Sequence, residues 1–246
     1  MNRLRPARLC VAGPLRAGRA GSSILVGFLC LTALASFAGK PYRPVIDPAD
    51  FTHVVDNPYF PLVPGTTFTF IEKEGRETRV NTTTVTHDTK TIMGVKCVVV
   101  HDRVTLKGVL VEDTFDWYAQ DKQGTVWYFG EATKGFKSGG RVSTAGSWEA
   151  GIKDAQPGIM MPAHPRVGER YRMEFAANEA EDIGLIAALD ETVTVATNTF
   201  KNCGRTREWS LLESGTSTKW YAKGVGLVRA ESTAGDVTTL ISVTRK

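Results

Sequence analysis

Hydrophobic and polar residues alternate along most of the chain after Gly65, and this alternation predicts β-strands. A period of two is typical of strands with one buried face, and β-branched and aromatic residues are frequent in these segments. Short glycine-containing turns separate the segments, which favours an antiparallel meander. The predicted strands are residues 66–73, 78–87, 95–104, 109–118, 124–131 and 141–149, then 169–176, 191–197, 203–212, 216–222, 226–231 and 237–244.

Three landmarks of the first six segments recur, in the same order, in the last six. They are a glycine before the first strand, a cysteine that opens the third, and a Trp-Tyr-Ala element in the fourth. Their offsets of 103, 106 and 103 residues predict a diverged tandem duplication, with repeats over residues 65–150 and 166–246. The pairs are Gly65 and Gly168, Cys97 and Cys203, and Trp117 and Trp220.

Three segments depart from the alternation. Six prolines in residues 39–64 predict an extended arm, because proline fixes φ and removes backbone donors. Residues 151–165 form an apolar loop between the repeats, and Met160 and Met161 are expected to cover an apolar surface, either the end of a barrel or a ligand. Residues 178–190 have no counterpart in the first repeat.

We expect one short helix over residues 178–190. Asn178 is a reasonable N-cap, and acidic residues follow it in the first turn, where the helix dipole favours them. Ile183, Ile186 and Leu189 then recur at helical spacing. The pattern as a whole predicts an all-β protein: an antiparallel barrel or sandwich built from two homologous six-strand halves, with one short inserted helix.

The first 38 residues have the features of a secretory signal peptide. Five arginines precede an apolar run over residues 24–35, and the small residues Ser36 and Ala38 follow it. At about 1.5 Å per residue that run is shorter than the roughly 30 Å core of a bilayer, so a retained anchor is disfavoured. Cleavage after Ala35 or Ala38 predicts an exported protein, periplasmic or extracellular, with no transmembrane anchor.

Removing the leader changes the charge and the cysteine count. The whole chain has a net charge of +4, and the leader carries five arginines and no acid, so the mature chain is 4 − 5 = −1. A charge this close to zero gives no basis for binding nucleic acid. Cys97 and Cys203 remain, either as a disulfide or as two buried thiols.

Polar residues present in only one repeat are the candidates for function, since shared residues are expected to be scaffold. Alternation places Asp113 in an apolar row of the fourth strand, where an unpaired carboxylate would cost several kcal/mol. Its partner could be His101 or Arg103 from the third strand, Arg207 from the other repeat, or a cation. A structural ion-pair network, a polar patch in a ligand cavity and a catalytic acid–base pair are all consistent with this pattern.

Glu131 lies on the next strand, and alternation places it on the face of Trp127 and Phe129. The candidate catalytic residues are therefore His101, Asp113 and Glu131, although no motif supplies a nucleophile. Spacing of the four histidines predicts no transition-metal site, and no fingerprint identifies a cofactor. The candidate ligand-binding residues are Arg103, Asp113, Trp127, Met160, Met161 and Arg207, and the weak calcium candidates are Asp113, Asp116, Asp121 and Glu131.

Two motifs carry a resemblance to a known group. Tyr59-Phe-Pro-Leu-Val-Pro-Gly65 resembles the start of uncharacterised exported bacterial β-proteins. Thr199-Phe-Lys-Asn-Cys203, followed by Trp220-Tyr-Ala-Lys-Gly-Val-Gly-Leu-Val228, resembles their closing half. Those proteins are distantly similar to lipoprotein carriers of the LolA type, which implies a curved antiparallel sheet and no catalytic residues.

The favoured function is non-catalytic binding of a small apolar or amphipathic ligand after export. One alternative is a hydrolase or lyase that uses His101, Asp113 and Glu131. Another is a structural envelope protein without a pocket. Ligand binding and catalysis require a pocket, whereas the structural role does not.

Overall fold

A computed structural model describes residues 42–196 and 198–246, so the predicted signal peptide lies outside the described residues. Almost all regular structure in these ranges is β-strand, as the alternation predicts. Within residues 42–196 and 198–246, the only helical segments are two 3-10 turns, Pro48–Asp50 and Ser138–Gly140. The strands are β1 (Thr66–Glu74), β2 (Glu77–Ile92), β3 (Val95–Leu106), β4 (Val109–Gln120), β5 (Val126–Phe136), β6 (Val142–Ser143), β7 (Trp148–Glu149), β8 (Gly158–Met161), β9 (Arg170–Arg172), β10 (Asp182–Val195), β11 (Asn198–Ser210), β12 (Ser217–Ala222), β13 (Gly226–Ser232) and β14 (Val237–Arg245).

All described strands belong to one antiparallel sheet. Its order is β6-β5-β4-β3-β2-β1-β14-β13-β12-β11-β10-β9, and β7 and β8 also pair with β5. The prediction of an all-β antiparallel fold is confirmed, and its form is an open sheet rather than a closed barrel. The sheet ends at the very short strands β6 and β9. Gln156, just before β8, donates its N–H to the Phe175 carbonyl at 2.7 Å, so the segment around β8 also contacts the connection between β9 and β10.

The predicted helix over residues 178–190 is wrong, because most of that segment belongs to β10. Asp182, Gly184 and Ile186 are buried in alternation, and β10 pairs with β9 on one side and β11 on the other. A Cβ atom at Gly184 would lie 2.6 Å from the Tyr171 ring, so the glycine lets that ring pack on the strand. Pairing on both sides outweighs the helical spacing of the apolar residues, because tertiary context overrides local propensity.

The arm is not extended throughout: it contains the 3-10 turn Pro48–Asp50, and it folds back where Leu62 bonds to Val55. It packs against both halves of the sheet. The Asn57 side chain donates to the carbonyls of Gly124 (2.9 Å) and Pro162 (3.1 Å). The ring centroid of Phe60 lies 5.2 Å from that of Tyr118 on β4 and 6.4 Å from that of Tyr221 on β12. The arm therefore fills the space between the two Trp-Tyr-Ala elements.

The sheet has one face packed against the core, called here the buried face, and an opposite face that is more exposed. On β4, Thr114, Asp116 and Tyr118 point to the buried face, whereas Asp113 and Phe115 point away from it. The largest residues of the buried face include Phe70, Tyr118, Tyr128 and Tyr221, and Phe60 of the arm packs against two of these tyrosines.

The two halves share local features. The β4–β5 pairing shifts register between Trp117 and Tyr118, and the β12–β13 pairing shifts between Trp220 and Tyr221. Each tyrosine also pairs with the residue that follows a cysteine. These features agree with a tandem duplication, which stays a prediction. The cysteines themselves, Cys97 and Cys203, are buried free thiols. No helix in the described ranges is long and apolar enough to span a membrane.

Candidate functional site

The structure brings together His101, Arg103 and Asp113 on the exposed face, where β3 pairs with β4. His101 Nε2 lies 2.7 Å from Asp113 Oδ1, and Arg103 Nε lies 3.8 Å from the same oxygen. The His101 ring stacks on Phe115 with centroids 4.2 Å apart. These four residues form what we call the exposed patch. Both partners that the third strand offers to Asp113 thus lie beside it, and these groups are partly exposed, so water can also solvate them.

Glu131 lies on the opposite face from this patch, and the predicted placement beside Trp127 and Phe129 is wrong. A bulge is the reason: Trp117 pairs with Gly130, but Tyr118 pairs with Tyr128, so Phe129 is an extra residue that reverses the alternation. Gly130 has φ +126°, and a Cβ atom there would lie 2.3 Å from the Trp148 carbonyl oxygen. Glu131 therefore lies opposite Asp116 in the β4–β5 register, on the buried face. The three candidate catalytic residues His101, Asp113 and Glu131 do not come together.

The four calcium candidates are divided among three places. Asp113 is in the exposed patch, Asp116 and Glu131 are on the buried face, and Asp121 lies in the β4–β5 turn. Both carboxylate oxygens of Asp121 are used locally, accepting from the backbone N–H groups of residues 123 and 125 and from Trp127 Nε1 at 2.9 Å. Across residues 42–196 and 198–246, no three His, Cys, Asp or Glu side chains are arranged to hold a metal ion.

The predicted ligand-binding residues are likewise not brought together as one site. Met160 and Met161 are buried in β8, where they pack into the core. Arg207 is exposed on β11, in the other half of the sheet. Trp127 borders a mainly polar cleft of about 220 Å³, whose other walls are the first part of the arm and the β4–β5 turn. Arg103 and Asp113 are the only two members of the set that lie in the exposed patch.

A cluster that the sequence reasoning missed lies on the buried face. We define the buried carboxylate cluster as Glu174, Asp182, Glu208 and Lys219. Lys219 Nζ lies 2.8 Å from Glu208 Oε2, and both side chains are essentially inaccessible to water. Glu174 Oε2 accepts from Trp148 Nε1 at 2.9 Å, a bond that links the two halves.

Hydrogen bonds complete the environment of Glu208. The hydroxyl of Thr206 donates to Glu208 Oε1 at 2.7 Å, and that of Tyr221 donates to the same oxygen at 3.3 Å. Glu208 is thus the member whose negative charge is directly paired and hydrogen-bonded. The arrangement fits the rule that a buried charge needs both a counter-charge and donors.

The other two carboxyls of the cluster are held closer to their neutral forms. Burial raises the pKa of Glu174 well above its usual range, and the charges of Asp182 and Glu131 add to the rise. Burial also raises the pKa of Asp182 to about 7. Burial therefore favours the neutral forms of two of the three carboxyls, which reduces the negative charge that the single ammonium has to balance.

Alternation gave no signal for this cluster. Glu208 alternates with Thr206 on its strand and Lys219 alternates with Ser217, so neither charge interrupts an apolar row. Asp182 falls in the segment predicted as a helix, and Glu174 falls in the predicted strand 169–176, where it alternates with arginines.

An open cleft with room for a ligand lies between the arm and the centre of the sheet. We call it the arm cleft; its volume is about 260 Å³. Its walls are mainly apolar, Arg245 is the charged residue in its lining, and Thr66 contributes a buried hydroxyl. The lining residues are Pro61 and Val63 of the arm, Thr66 and Phe68 of β1, Gly224 and Val225 of the β12–β13 turn, and Val243 and Arg245 of β14.

Comparison with known proteins adds two structural likenesses. No family model and no curated protein matches the sequence. A Bacteroides fragilis protein, described as a candidate exported protein with a YmcC-like fold, aligns at a TM-score of 0.45 and 15% identity, covering 76% of this chain and 99% of its own. A candidate lipoprotein from Parabacteroides distasonis aligns at 0.41 and 14%, covering 76% and 98%. The resemblance to LolA-type carriers stays a prediction, and function is inferred from this chain's own geometry.

Proposed function

We propose that this chain is an exported, non-catalytic protein that binds a small amphipathic ligand in the arm cleft. The observation that carries the proposal is the cleft itself: about 260 Å³ of open space with mainly apolar walls beside the packed face of the sheet. Sites for small molecules are typically concave, apolar and provided with a few polar groups. The catalytic alternative has no comparable support, because Glu131 and the pair His101–Asp113 lie on opposite faces.

The size of the arm cleft sets the size of the ligand. Liquid water occupies about 30 Å³ per molecule, so the cleft has room for roughly nine groups of that size. A short alkyl chain with one polar end fits this room. At about 0.5 kcal/mol per non-hydrogen atom, near the lower end of the range for small ligands, we expect a dissociation constant on the order of 0.1–1 mM for an alkyl probe the size of octanol.

The apolar walls are tested with octanol by isothermal titration calorimetry. The wild-type protein is expected to bind octanol, and Val225→Trp is expected to abolish binding because the indole ring would occupy the cleft that Val225 lines. Val109→Trp is the matched control, since Val109 is exposed at the start of β4, outside the cleft lining. If Val225→Trp binds octanol as tightly as the wild type does, the arm cleft is not the binding site.

Export is a separate part of the proposal and rests on the leader in residues 1–38. The full chain, expressed in a bacterial host, is expected outside the cytoplasm. The mature protein is expected to begin at Ser36 or Gly39, which N-terminal sequencing of the exported fraction would show. Recovery of only the uncleaved chain, in the cytoplasmic fraction, would contradict export.

A further inference from the structure

We propose that the polar end of the ligand is a carboxylate, held by the Arg245 guanidinium and the Thr66 hydroxyl. This inference rests on the proposed binding in the arm cleft and adds the chemical class of the ligand. Three observations support it: the charge of the lining, the unpartnered hydroxyl, and the order of the side chains along two paired strands.

The charge of the cleft lining has one sign. Arg245 is the charged residue among the eight that line the cleft, and no carboxyl side chain is among them. Within the described ranges, Arg245 makes no ion pair. A guanidinium is always protonated, and its planar fork of N–H donors matches the two oxygens of a carboxylate. The single positive charge fits a monoanion better than a phosphate dianion.

Thr66 supplies a polar group that has no partner in the part of the chain that the structure describes. The residue is 1% exposed, and its Oγ1 atom makes no hydrogen bond among the residues that the structure describes. A buried hydroxyl without a partner costs about 1–3 kcal/mol, so such groups are rare in native structures. Thr66 lines the cleft, but its hydroxyl has almost no accessible surface, so a ligand oxygen can accept from it only when the lining shifts.

The pairing of β1 with β14 gives the cleft a polar end and an apolar end. Thr66 pairs directly with Arg245, and Phe68 pairs directly with Val243. Because side chains alternate along a strand, these four residues point to the same face of the sheet. The polar pair and the apolar pair are therefore adjacent along the strands. A carboxylate at the first pair would direct its alkyl chain over the second, towards the walls made by the arm.

Octanoate, octanol and octylamine distinguish this inference from the proposed function, because they share an alkyl chain and differ at the polar end. Calorimetric titration near pH 7 is expected to show octanoate binding about tenfold tighter than octanol, as charge-assisted hydrogen bonds are stronger than neutral ones. Octylamine is expected to bind more weakly than octanol. Rising salt is expected to reduce the advantage of octanoate and to leave octanol binding unchanged.

Variants test which side chains cause octanoate to bind more tightly than octanol. Arg245→Gln is expected to lower octanoate affinity to the level of octanol, and Thr66→Val is expected to reduce it severalfold, with octanol binding unchanged in Arg245→Gln. Arg207→Gln, an exposed arginine outside the cleft lining, is the control and is expected to change nothing. Circular dichroism and thermal unfolding confirm that each variant is folded.

The outcomes separate the two claims. Octanol and octanoate binding equally, both blocked by Val225→Trp, would overturn the carboxylate inference and leave the proposed function standing. An octanoate advantage that survives Arg245→Gln would also overturn the inference. If neither compound binds the wild-type protein, the proposed function and the inference both fail.

Discussion

The exposed patch and the buried carboxylate cluster contain nearly the same contact in opposite environments. His101 Nε2 lies 2.7 Å from Asp113 Oδ1, and Lys219 Nζ lies 2.8 Å from Glu208 Oε2. Each pair joins neighbouring antiparallel strands. The side chains of the first pair are 27% and 23% exposed, and those of the second are 1% and 0% exposed.

The difference shows that environment, and not contact distance, determines the energetic weight of a charged pair. The charges of an exposed pair are well solvated by water even when the pair is broken, so its net contribution to folding stability is only about 0–1 kcal/mol. A buried pair has lost its solvation, so removing one partner leaves an uncompensated charge and costs about 3–5 kcal/mol. Two contacts of equal length are therefore expected to respond very differently to mutation.

The largest effect is expected from Lys219→Met. Loss of the ammonium leaves Glu208 buried without its counter-charge, and we expect the free energy of unfolding to fall by about 3–5 kcal/mol. Urea unfolding followed by circular dichroism measures the change. Arg103→Met, which removes a cation from the exposed patch, is the matched control. Equal losses in the two variants would show that burial does not distinguish the two regions.

Asp182→Asn is expected to change the pH dependence of stability. Burial raises the pKa of Asp182 from its ordinary 3.8 to about 7, so the folded state binds the proton more tightly than the unfolded state. The stability that this proton provides is fully present below about pH 4 and is lost as pH rises towards 7. The loss amounts to at most about 4 kcal/mol, at 1.36 kcal/mol per pKa unit.

The comparison between wild type and Asp182→Asn isolates that contribution from the other carboxylates. The variant is expected to match the wild type near pH 4 and to be more stable near pH 8, since the amide never ionises. Urea unfolding across this range measures the difference. Parallel pH profiles for the two proteins would contradict a raised Asp182 pKa.

Glu174→Gln is expected to have a smaller effect on stability. Substitution of a buried polar residue usually lowers stability, but here no loss is expected. Burial raises the pKa of Glu174 well above its usual range, so the neutral amide resembles the form that burial favours. The amide oxygen can still accept from Trp148 Nε1. We expect stability at pH 7 to be unchanged or increased, by about 1 kcal/mol or less.

Glu208→Gln is the control for this prediction within the same cluster. Because Glu208 pairs with Lys219, its neutralisation leaves a buried ammonium and is expected to be clearly destabilising. Thermal unfolding at pH 7 ranks the two variants. A Glu174→Gln protein less stable than Glu208→Gln would contradict the prediction that loss of the contact with Lys219 is the more costly change.

The smallest effect is expected from Asp113→Asn in the exposed patch. Water can replace the contact with His101, so stability is expected to change by less than about 1 kcal/mol. Octanol binding in the arm cleft is expected to be unchanged, because Asp113 does not line it. Urea unfolding and calorimetry test both statements, and an unfolded variant would mean that the patch is as critical as the buried cluster.

Strand positions and hairpin contacts could be read from the chain because they depend on local periodicity. Residues 66–73 were predicted for β1 (Thr66–Glu74), and residues 237–244 for β14 (Val237–Arg245). The contact between His101 and Asp113 could also be foreseen. Their strands are consecutive, joined by a tight turn, and alternation places both residues on one face.

Errors arose where a distant segment altered the local pattern. The backbone of Trp148 approaches Gly130 so closely that a side chain would clash, and the bulge beside it moves Glu131 to the buried face. Similarly, β9 and β11 pair with both sides of the segment whose apolar spacing indicated a helix. Hydrophobic periodicity and secondary-structure propensity depend on residues close in sequence. They carry no information about segments that pack against a residue from elsewhere in the chain.

The alternation of side chains was therefore enough to establish an all-β antiparallel chain with a polar contact between its third and fourth strands. Neither the arm cleft nor the buried carboxylate cluster could be found in this way. The cleft joins Pro61, Thr66, Val225 and Arg245, which meet only because the first and last long strands pair at the centre of the sheet. In the cluster, the raised pKa of Asp182 arises from burial, which only the packed chain provides.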